Sequence, residues 1–324
     1  MIKNVSIRNF KSIKELDFKA KRVNVFIGEP NTGKSNILEA LGMFSLHHRD
    51  KDVQTFPIRY QTVSNLFFDN ETTQPLTVNV DNYSYQISGD KLSAFVMEGG
   101  KKNEFFEFNI REKKVLSPSL KAQNLPLKLY QFKTLESYIP YGSILDAPFG
   151  ENLFGVLMEN KQVKSLVSSL LKEKGYHLGL RIKESEIEVI KMANDILYTY
   201  PYQSLSDTLQ RIIFYWAIIE SNKDSTILLE EPESHMSPFY IRDIAERIAR
   251  DTSNQYFLVT HNPYFLVTLV EKTKRADLSV SVTYLEDYQT KLKQLAKANL
   301  EELTELDTAI FFNLDKFTEV ESVV

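Results

Sequence analysis

Val23-Asn24-Val25-Phe26-Ile27-Gly28-Glu29-Pro30-Asn31-Thr32-Gly33-Lys34-Ser35 is the stretch whose reading decides the fold. Val23 to Ile27 reads as a short apolar strand, and Ser35 to Phe44 as a helix with Ile37, Leu38, Leu41 and Met43 on or near one side. Between them stands G-x-x-x-x-G-K-S, a loop whose backbone N–H groups wrap phosphates while the helix N-terminus adds a favourable dipole. Lys34 would reach the β- and γ-phosphates, and Ser35 Oγ would ligate Mg²⁺. The candidate nucleotide-binding set is therefore Gly28, Glu29, Pro30, Asn31, Thr32, Gly33, Lys34, Ser35 and Asn36, with ATP and Mg²⁺ as the expected ligands. A chance turn before a helix is the competing reading, and the strand–loop–helix context argues against it.

Working outward, the second half of the chain supplies what a phosphate loop needs beside it. Ser206 to Glu220 reads as a helix with an almost wholly apolar middle, Ile212 to Ile219. Thr226 to Leu229 reads as a buried strand, Phe239 to Arg250 as an amphipathic helix, and Tyr256 to Val259 as another buried strand. That alternation predicts a parallel sheet with crossover helices. The first of these strands runs into Glu230-Glu231-Pro232-Glu233. One carboxylate can hold the metal and the next can polarise the attacking water, so Glu230 is read as the metal ligand and Glu231 as the base. The alternative is a solvated acidic turn. His261, at the end of the following strand, can hydrogen-bond the γ-phosphate or the water, although a strand-end histidine is often only a satisfied polar residue.

Composition narrows the classes further. The chain has 324 residues, 43% of them hydrophobic and 25% charged, with a formal net charge of -4. That balance excludes coating of nucleic acid by bulk charge but not a local basic patch. Cysteine is absent, which rules out disulfides, thiolate zinc sites and cysteine nucleophiles and agrees with a reducing, cytoplasmic setting. No stretch is long and apolar enough to span a bilayer, so no membrane partner is expected, and the N-terminus does not read as a signal peptide. Residues 63–133 look strand-rich, Asn152 to Lys174 helical, Leu278 to Tyr284 a strand and Leu303 to Leu314 a closing helix. There is no sustained heptad pattern and so no long coiled-coil arm. Glycine is scarce: Gly28 and Gly33 lie where backbone must approach phosphate, and none follows Gly179.

Four segments in order carry a family resemblance: Ile2-Lys3-Asn4-Val5-Ser6-Ile7-Arg8-Asn9-Phe10-Lys11-Ser12-Ile13, Gly33 to Leu41, Leu229 to Pro238, and Val259-Thr260-His261-Asn262-Pro263. Together they resemble the ABC-type ATPases of the RecF, SMC and OLD group, and in detail their stand-alone AAA-named relatives linked to phage defence. The resemblance implies an α/β P-loop NTPase fold, an ABC-ATPase head with a mixed core sheet, an antiparallel β lobe and a helical inserted lobe. It implies one composite head: residues 1–140 as the first lobe, 141–205 as a helical insert, and 206–324 as the second lobe.

The resemblance also implies a signature segment, Ser204 to Arg211. Ser206 would contact the γ-phosphate held by a second copy, with Asp207 and Thr208 beside it where transport-type relatives carry two glycines. The plain reading is that Ser206 caps a helix, and the two are compatible, since both use a helix N-terminus. Gln131 is either the Mg²⁺-sensing glutamine or a surface residue; Arg59 is either a phosphate or DNA contact or an ordinary surface arginine. The catalytic set expected is Glu231, His261 and Lys34, and the metal set Ser35, Glu230 and Gln131.

Function in this group follows the partner. The expected partners are a second copy, DNA, and a separately encoded effector or nuclease. Residues 1–22 hold seven basic and two acidic side chains, and Arg8 and Lys11 are the DNA-contact candidates. A solvated strand edge guarded by lysines is the alternative. The chain after His261 is too short for a TOPRIM nuclease, so no nuclease activity is expected. The first functional reading is an ATP-gated dimer engaging DNA or a DNA-processing partner in repair or phage defence. The second is a nucleotide-dependent protein that holds or releases an effector with little hydrolysis.

Overall fold

The computed structural model describes residues 1–48, 58–117 and 126–318. The chain divides into two compact units, one made of residues 1–129, 224–231 and 254–324, the other of 130–223 and 232–253.

The first unit begins with β1 (Asn4–Phe10), β2 (Ile13–Lys19) and β3 (Val23–Gly28), followed by helix α1 (Lys34–Gly42). β4 (Leu76–Val80), β5 (Tyr83–Ser88), β6 (Lys91–Glu98), β7 (Lys101–Asn109) and β8 (Lys114–Ser117) extend β1 and β2 into a seven-stranded sheet ordered β2-β1-β4-β5-β6-β7-β8. Every pairing in it is antiparallel. Its strands alternate buried and open positions, as in β4 with Leu76, Val78 and Val80 inside, which is the signature of a sheet covered on one face.

β3 behaves differently. All six of its residues are buried, because it is a central strand of a second sheet covered on both sides. β9 (Leu127–Tyr130) lies at one edge of this sheet. β13 (Thr226–Glu230), β14 (Gln255–Val259) and β15 (Leu278–Glu286) run parallel to one another through β3, and β16 (Gln289–Gln294) closes the other edge. β10 to β12 belong to the second unit and are given below. The order is β16-β15-β3-β14-β13-β9. The predicted parallel core is therefore present, and the mixed character comes from the antiparallel β15–β16 hairpin. One apolar core joins the two sheets and α1: Ile37, Leu38 and Leu41 of the helix share it with Val78 and Tyr85 on one side and Phe26 and Phe257 on the other. The unit also holds α6 (Pro263–Lys272), α7 (Lys297–Leu306) and the short α8 (Asp315–Thr318).

The second unit holds α2 (Leu153–Glu159), α3 (Lys161–Glu173), α4 (Asp207–Ser221) and α5 (Pro238–Arg250), with a three-stranded antiparallel sheet of β10 (His177–Arg181), β11 (Glu186–Ala193) and β12 (Ile196–Pro201). The helix expected over 152–174 is broken at Asn160. That residue is extended (φ -92°, ψ 100°), and its side chain accepts from Gln162 and Val163 N–H, so it ends one helix and caps the next. Likewise the closing helix starts earlier than expected, at Lys297, and gives way after Leu306 to a tighter 3₁₀ segment, Asp307–Phe312. Among the described residues no helix is long and apolar enough to cross a membrane.

Candidate functional site

The site is built where three parallel strands end. β3 delivers Gly28, β13 delivers Glu230 and Glu231, and β14 delivers Thr260 and His261. The parallel register fixes this: Leu258 lies beside both Val25 and Leu229, and Val259 beside both Phe26 and Glu230. Side chains from distant parts of the chain thus meet at one sheet edge, the place where open α/β sheets bind ligands.

The loop has the backbone its sequence requires. Asn31 sits at φ 63° and Gly33 at φ 93°, both in the left-handed region. Glycine is needed at Gly33 for a second reason: a Cβ there would overlap Thr290 Oγ1 and come within 2.8 Å of its methyl carbon. Gly28 is equally tight, since a Cβ would overlap the carbonyl of Thr283 and lie 2.5 Å from its hydroxyl. A belt of hydroxyls holds the loop from behind. Thr32 Oγ1 donates to Glu29 O at 2.8 Å and pairs with Thr283 Oγ1 at 2.7 Å. Asn36 Nδ2 donates to Ser12 Oγ at 2.7 Å, and Ser12 Oγ pairs with Thr290 Oγ1, also at 2.7 Å.

Lys34 is almost wholly buried, and its ammonium donates to the carbonyls of Gly28 at 2.9 Å and Glu29 at 2.6 Å. Burial pushes its pKa down to about 8, against the pull of Glu231, Glu230 and Glu29. Ser35 Oγ donates to Glu230 Oε1. A hydroxyl and a carboxylate already in contact are hard oxygen donors of the kind Mg²⁺ prefers. Glu231 stands at φ 44°, rare for a non-glycine residue, and its N–H donates to Val259 O at 2.9 Å. His261 Nε2 lies 3.8 Å from Glu231 Oε1, beyond a direct hydrogen bond. Burial and then the charge of Lys34 hold the imidazole pKa below its usual value, which keeps the ring neutral near pH 7.

The structure also places residues whose role is not legible in the sequence. Glu39 on α1 is buried and receives both Lys11 Nζ and Arg59 Nε, the latter at 2.7 Å. Arg59 also comes within 3.8 Å of Glu230. Ser12 comes from the N-terminal segment that carries the resemblance, whereas Thr283 and Thr290 come from a hairpin remote in sequence that no local motif marks. Of the DNA-contact candidates, Lys11 is tied to Glu39, and Arg8 pairs with Asp17 at 2.6 Å and Glu15 at 2.9 Å.

Other predicted residues lie in the second unit. Ser206 precedes α4 and accepts from Leu209 N–H at 3.4 Å, as a cap does. Asp207 pairs with Arg211 at 2.6 Å, and Thr208 Oγ1 donates to His235 O at 2.9 Å. Gln131 is exposed, and its backbone N–H donates to Pro148 O at 2.9 Å.

Against known proteins, the family model described as "AAA domain, putative AbiEii toxin, Type IV TA system" matches residues 97–267, just over half the chain. That match includes the acidic strand and His261 but begins after the phosphate loop. No curated protein aligns with the chain significantly in sequence. Among solved structures it is similar to an SMC head crystallised with the C-winged helix domain of ScpA. The identity is 12%, 93% of this chain and 99% of that one are covered, and the TM-score is 0.54. An SMC head domain from Thermotoga maritima aligns at 13% identity over 91% of this chain and 99% of that one, with a TM-score of 0.41. The fold is that of a P-loop ABC-ATPase head, an assignment that rests on the first of these.

Proposed function

The chain belongs to the AAA-domain family just described, and from that premise we propose that it binds and hydrolyses ATP with Mg²⁺ and dimerises around the nucleotide. The observation that carries this is the convergence of Lys34, Ser35, Glu230, Glu231 and His261 at one edge of the parallel sheet. Lys34 holds the phosphates. Ser35 and Glu230 hold the metal, which when bound neutralises the charge that develops on the transferred phosphoryl group. Glu231 accepts the proton of the attacking water; its strained backbone is the kind of outlier found at such positions. His261, neutral and 3.8 Å away, orients the same water or the γ-phosphate. In the second copy, Ser206 at the start of α4 closes on the nucleotide.

The cycle is coupled to DNA or to a DNA-processing partner, in repair or phage defence. A second reading keeps the nucleotide switch but has it hold or release an effector protein; the toxin–antitoxin description of the family favours it. The deciding experiment is the mass of Glu231→Gln in solution, without nucleotide, with MgATP, and with MgATP and duplex DNA. An ATP-driven dimer supports the proposal, and a monomer throughout refutes dimerisation around nucleotide. ATP-driven dimers that ignore DNA select the effector reading.

A further inference from the structure

In the first unit, outside the phosphate loop, four cations frame a cavity of 420 Å³: Lys19, Lys21, Arg275 and Lys297. They come from the end of β2, the link to β3, the link from α6 to β15, and the start of α7. Ala276, Leu278, Leu295 and Leu300 supply an apolar floor, and no acidic residue lines the cavity. Among the described residues, none of the four cations forms an ion pair with a carboxylate. The neighbouring acid in sequence, Asp277, faces Arg22 at 3.6 Å.

Two of the four are held in place by uncharged partners, which leaves their charge uncompensated. Lys21 Nζ donates to the carbonyls of Leu278 at 2.8 Å and Arg275 at 3.1 Å. Arg275 donates one N–H to Val270 O at 3.0 Å, which orients the half-buried guanidinium. The wall is tied by Gln294, whose Nε2 donates to Lys19 O at 2.8 Å and Ser279 Oγ at 3.0 Å.

We propose that this cavity binds the phosphate backbone of DNA. Four like charges around one hollow give a local positive field that attracts a polyanion even in a chain of net charge -4. Three of the four are lysines, point charges suited to a run of phosphates rather than to one planar carboxylate. No aromatic side chain lines the cavity, so there is no platform on which a base could stack, and contact is to backbone. β2 lies beside β16 from Ser12 and Thr290, joined by a 2.8 Å backbone hydrogen bond, to Lys19 and Gln294. β2 also carries the exposed acids Glu15 and Asp17, which both face Arg8, so the cationic surface is confined to the rim of the cavity. The inference rests on the DNA-coupled form of the proposed function. It also relocates the DNA contact away from Arg8 and Lys11, which the fold already pairs.

The test uses the full chain and a fluorescein-labelled 30-base-pair duplex, read by anisotropy over a salt series. Lys19→Ala/Arg275→Ala/Lys297→Ala should weaken binding at least tenfold and lower the slope of log affinity against log salt by roughly 2 to 3, about 0.9 for each phosphate no longer neutralised. Lys161→Ala/Lys164→Ala/Lys172→Ala, on exposed positions of α3, removes the same charge and should change affinity less than twofold. Equal loss in both triple variants, or no loss in the first, overturns the proposal. So does displacement of the duplex by millimolar inorganic pyrophosphate, which would mark a free-phosphate site, or binding of polyglutamate in place of DNA. MgATP affinity is measured on the same samples. Wild-type protein that binds MgATP but not DNA refutes this site and leaves the nucleotide reading standing, whereas DNA binding without MgATP binding does the reverse.

Discussion

Gly33→Ala tests whether the hairpin after β15 shapes the phosphate loop. The residue sits at φ 93°, and an added Cβ would lie 2.8 Å from the Thr290 methyl and 2.9 Å from Ser12 Oγ. Thr290 cannot step aside. It is fully buried, its N–H donates to Ser12 O at 2.8 Å, and its hydroxyl pairs with Ser12 Oγ at 2.7 Å. The left-handed backbone costs a non-glycine residue about 1–3 kcal/mol. Overpacking against a fixed neighbour adds about 1–3 kcal/mol. Gly100→Ala separates the two, because Gly100 has φ 76° and nothing within 4 Å of its missing Cβ. Calorimetric unfolding of the ligand-free variants should therefore show Gly33→Ala less stable than Gly100→Ala by about 1–3 kcal/mol. Adding Thr290→Ala, which removes two of the three crowding atoms and leaves Ser12 Oγ, should recover at least about 1 kcal/mol as a coupling in the double-mutant cycle. Equal losses in the two glycine variants, or additivity with Thr290→Ala, would refute the argument. Fluorescent-ATP titration should show nucleotide binding lost in Gly33→Ala and retained in Gly100→Ala.

Burial that pushes Lys34 to about 8 makes the free protein give up a proton above that pH, while a bound phosphate draws the ammonium back. The complex then holds more protons than the free protein, so MgATP affinity should fall roughly tenfold between pH 7.5 and 9 by calorimetric titration. Lys34→Arg, charged throughout, should remove that fall. The same depression means that in the ligand-free protein Lys34 lets stability rise as pH climbs from about 8 towards 10.5, where the unfolded chain holds the extra proton. Arg247 pairs with Glu220 at 2.7 Å and Asp243 at 2.9 Å and lies over the Trp216 ring at 4.4 Å, so Arg247→Ala should cost about 2–4 kcal/mol and shift the emission of the sole tryptophan. Unchanged emission would show that the stack does not persist in solution. Ser206→Asp should keep the helix cap and the melting temperature but abolish the ATP-driven dimer, whereas Ser206→Ala should lose about 1 kcal/mol of stability; a dimer that survives Ser206→Asp argues against a phosphate contact from the second copy.

What can be read from sequence follows the range of the interaction. The loop Gly28–Ser35 and its flanking strand and helix are local, and the apolar strands before Glu230 and His261 are too hydrophobic to be anything but central. The β10–β12 sheet is not legible in this way. Its strands alternate only weakly, and every residue of β12 is exposed, so no hydrophobic period marks it. One signal is available: Asn194 and Asp195 both take positive φ in the two-residue turn from β11 to β12, and such pairs mark tight hairpins. Thr283 and Thr290 are illegible for another reason. A threonine on a strand is ordinary, and only the β3–β15 pairing, Gly28 against Thr283, gives it a place behind the phosphate loop.

The signature segment shows how far a local departure from a family pattern must be weighed against the fold that receives it. A carboxylate at position 207, one residue beyond the serine that would face a partner's triphosphate, is repulsive only if it points outward with its charge intact. Here Asp207 is drawn to Arg211 one helical turn on, at 2.6 Å, and the guanidinium in turn lies over the Phe132 ring at 4.5 Å. The acid is therefore paired on its own helix, with half of its side chain still exposed. Thr208 spends its hydroxyl on the carbonyl of His235, a residue held at φ 62°, and so anchors the turn that follows the acidic strand instead of projecting from α4. Ser206 is left as the exposed side chain at the helix start, engaged among the described residues by the long 3.4 Å cap contact. The two residues that replace glycines are each engaged within their own unit, Asp207 by Arg211 and Thr208 by the His235 carbonyl, and the one that would touch phosphate stays exposed at the helix start. A glycine-free signature is therefore compatible with an ATP-bridged dimer.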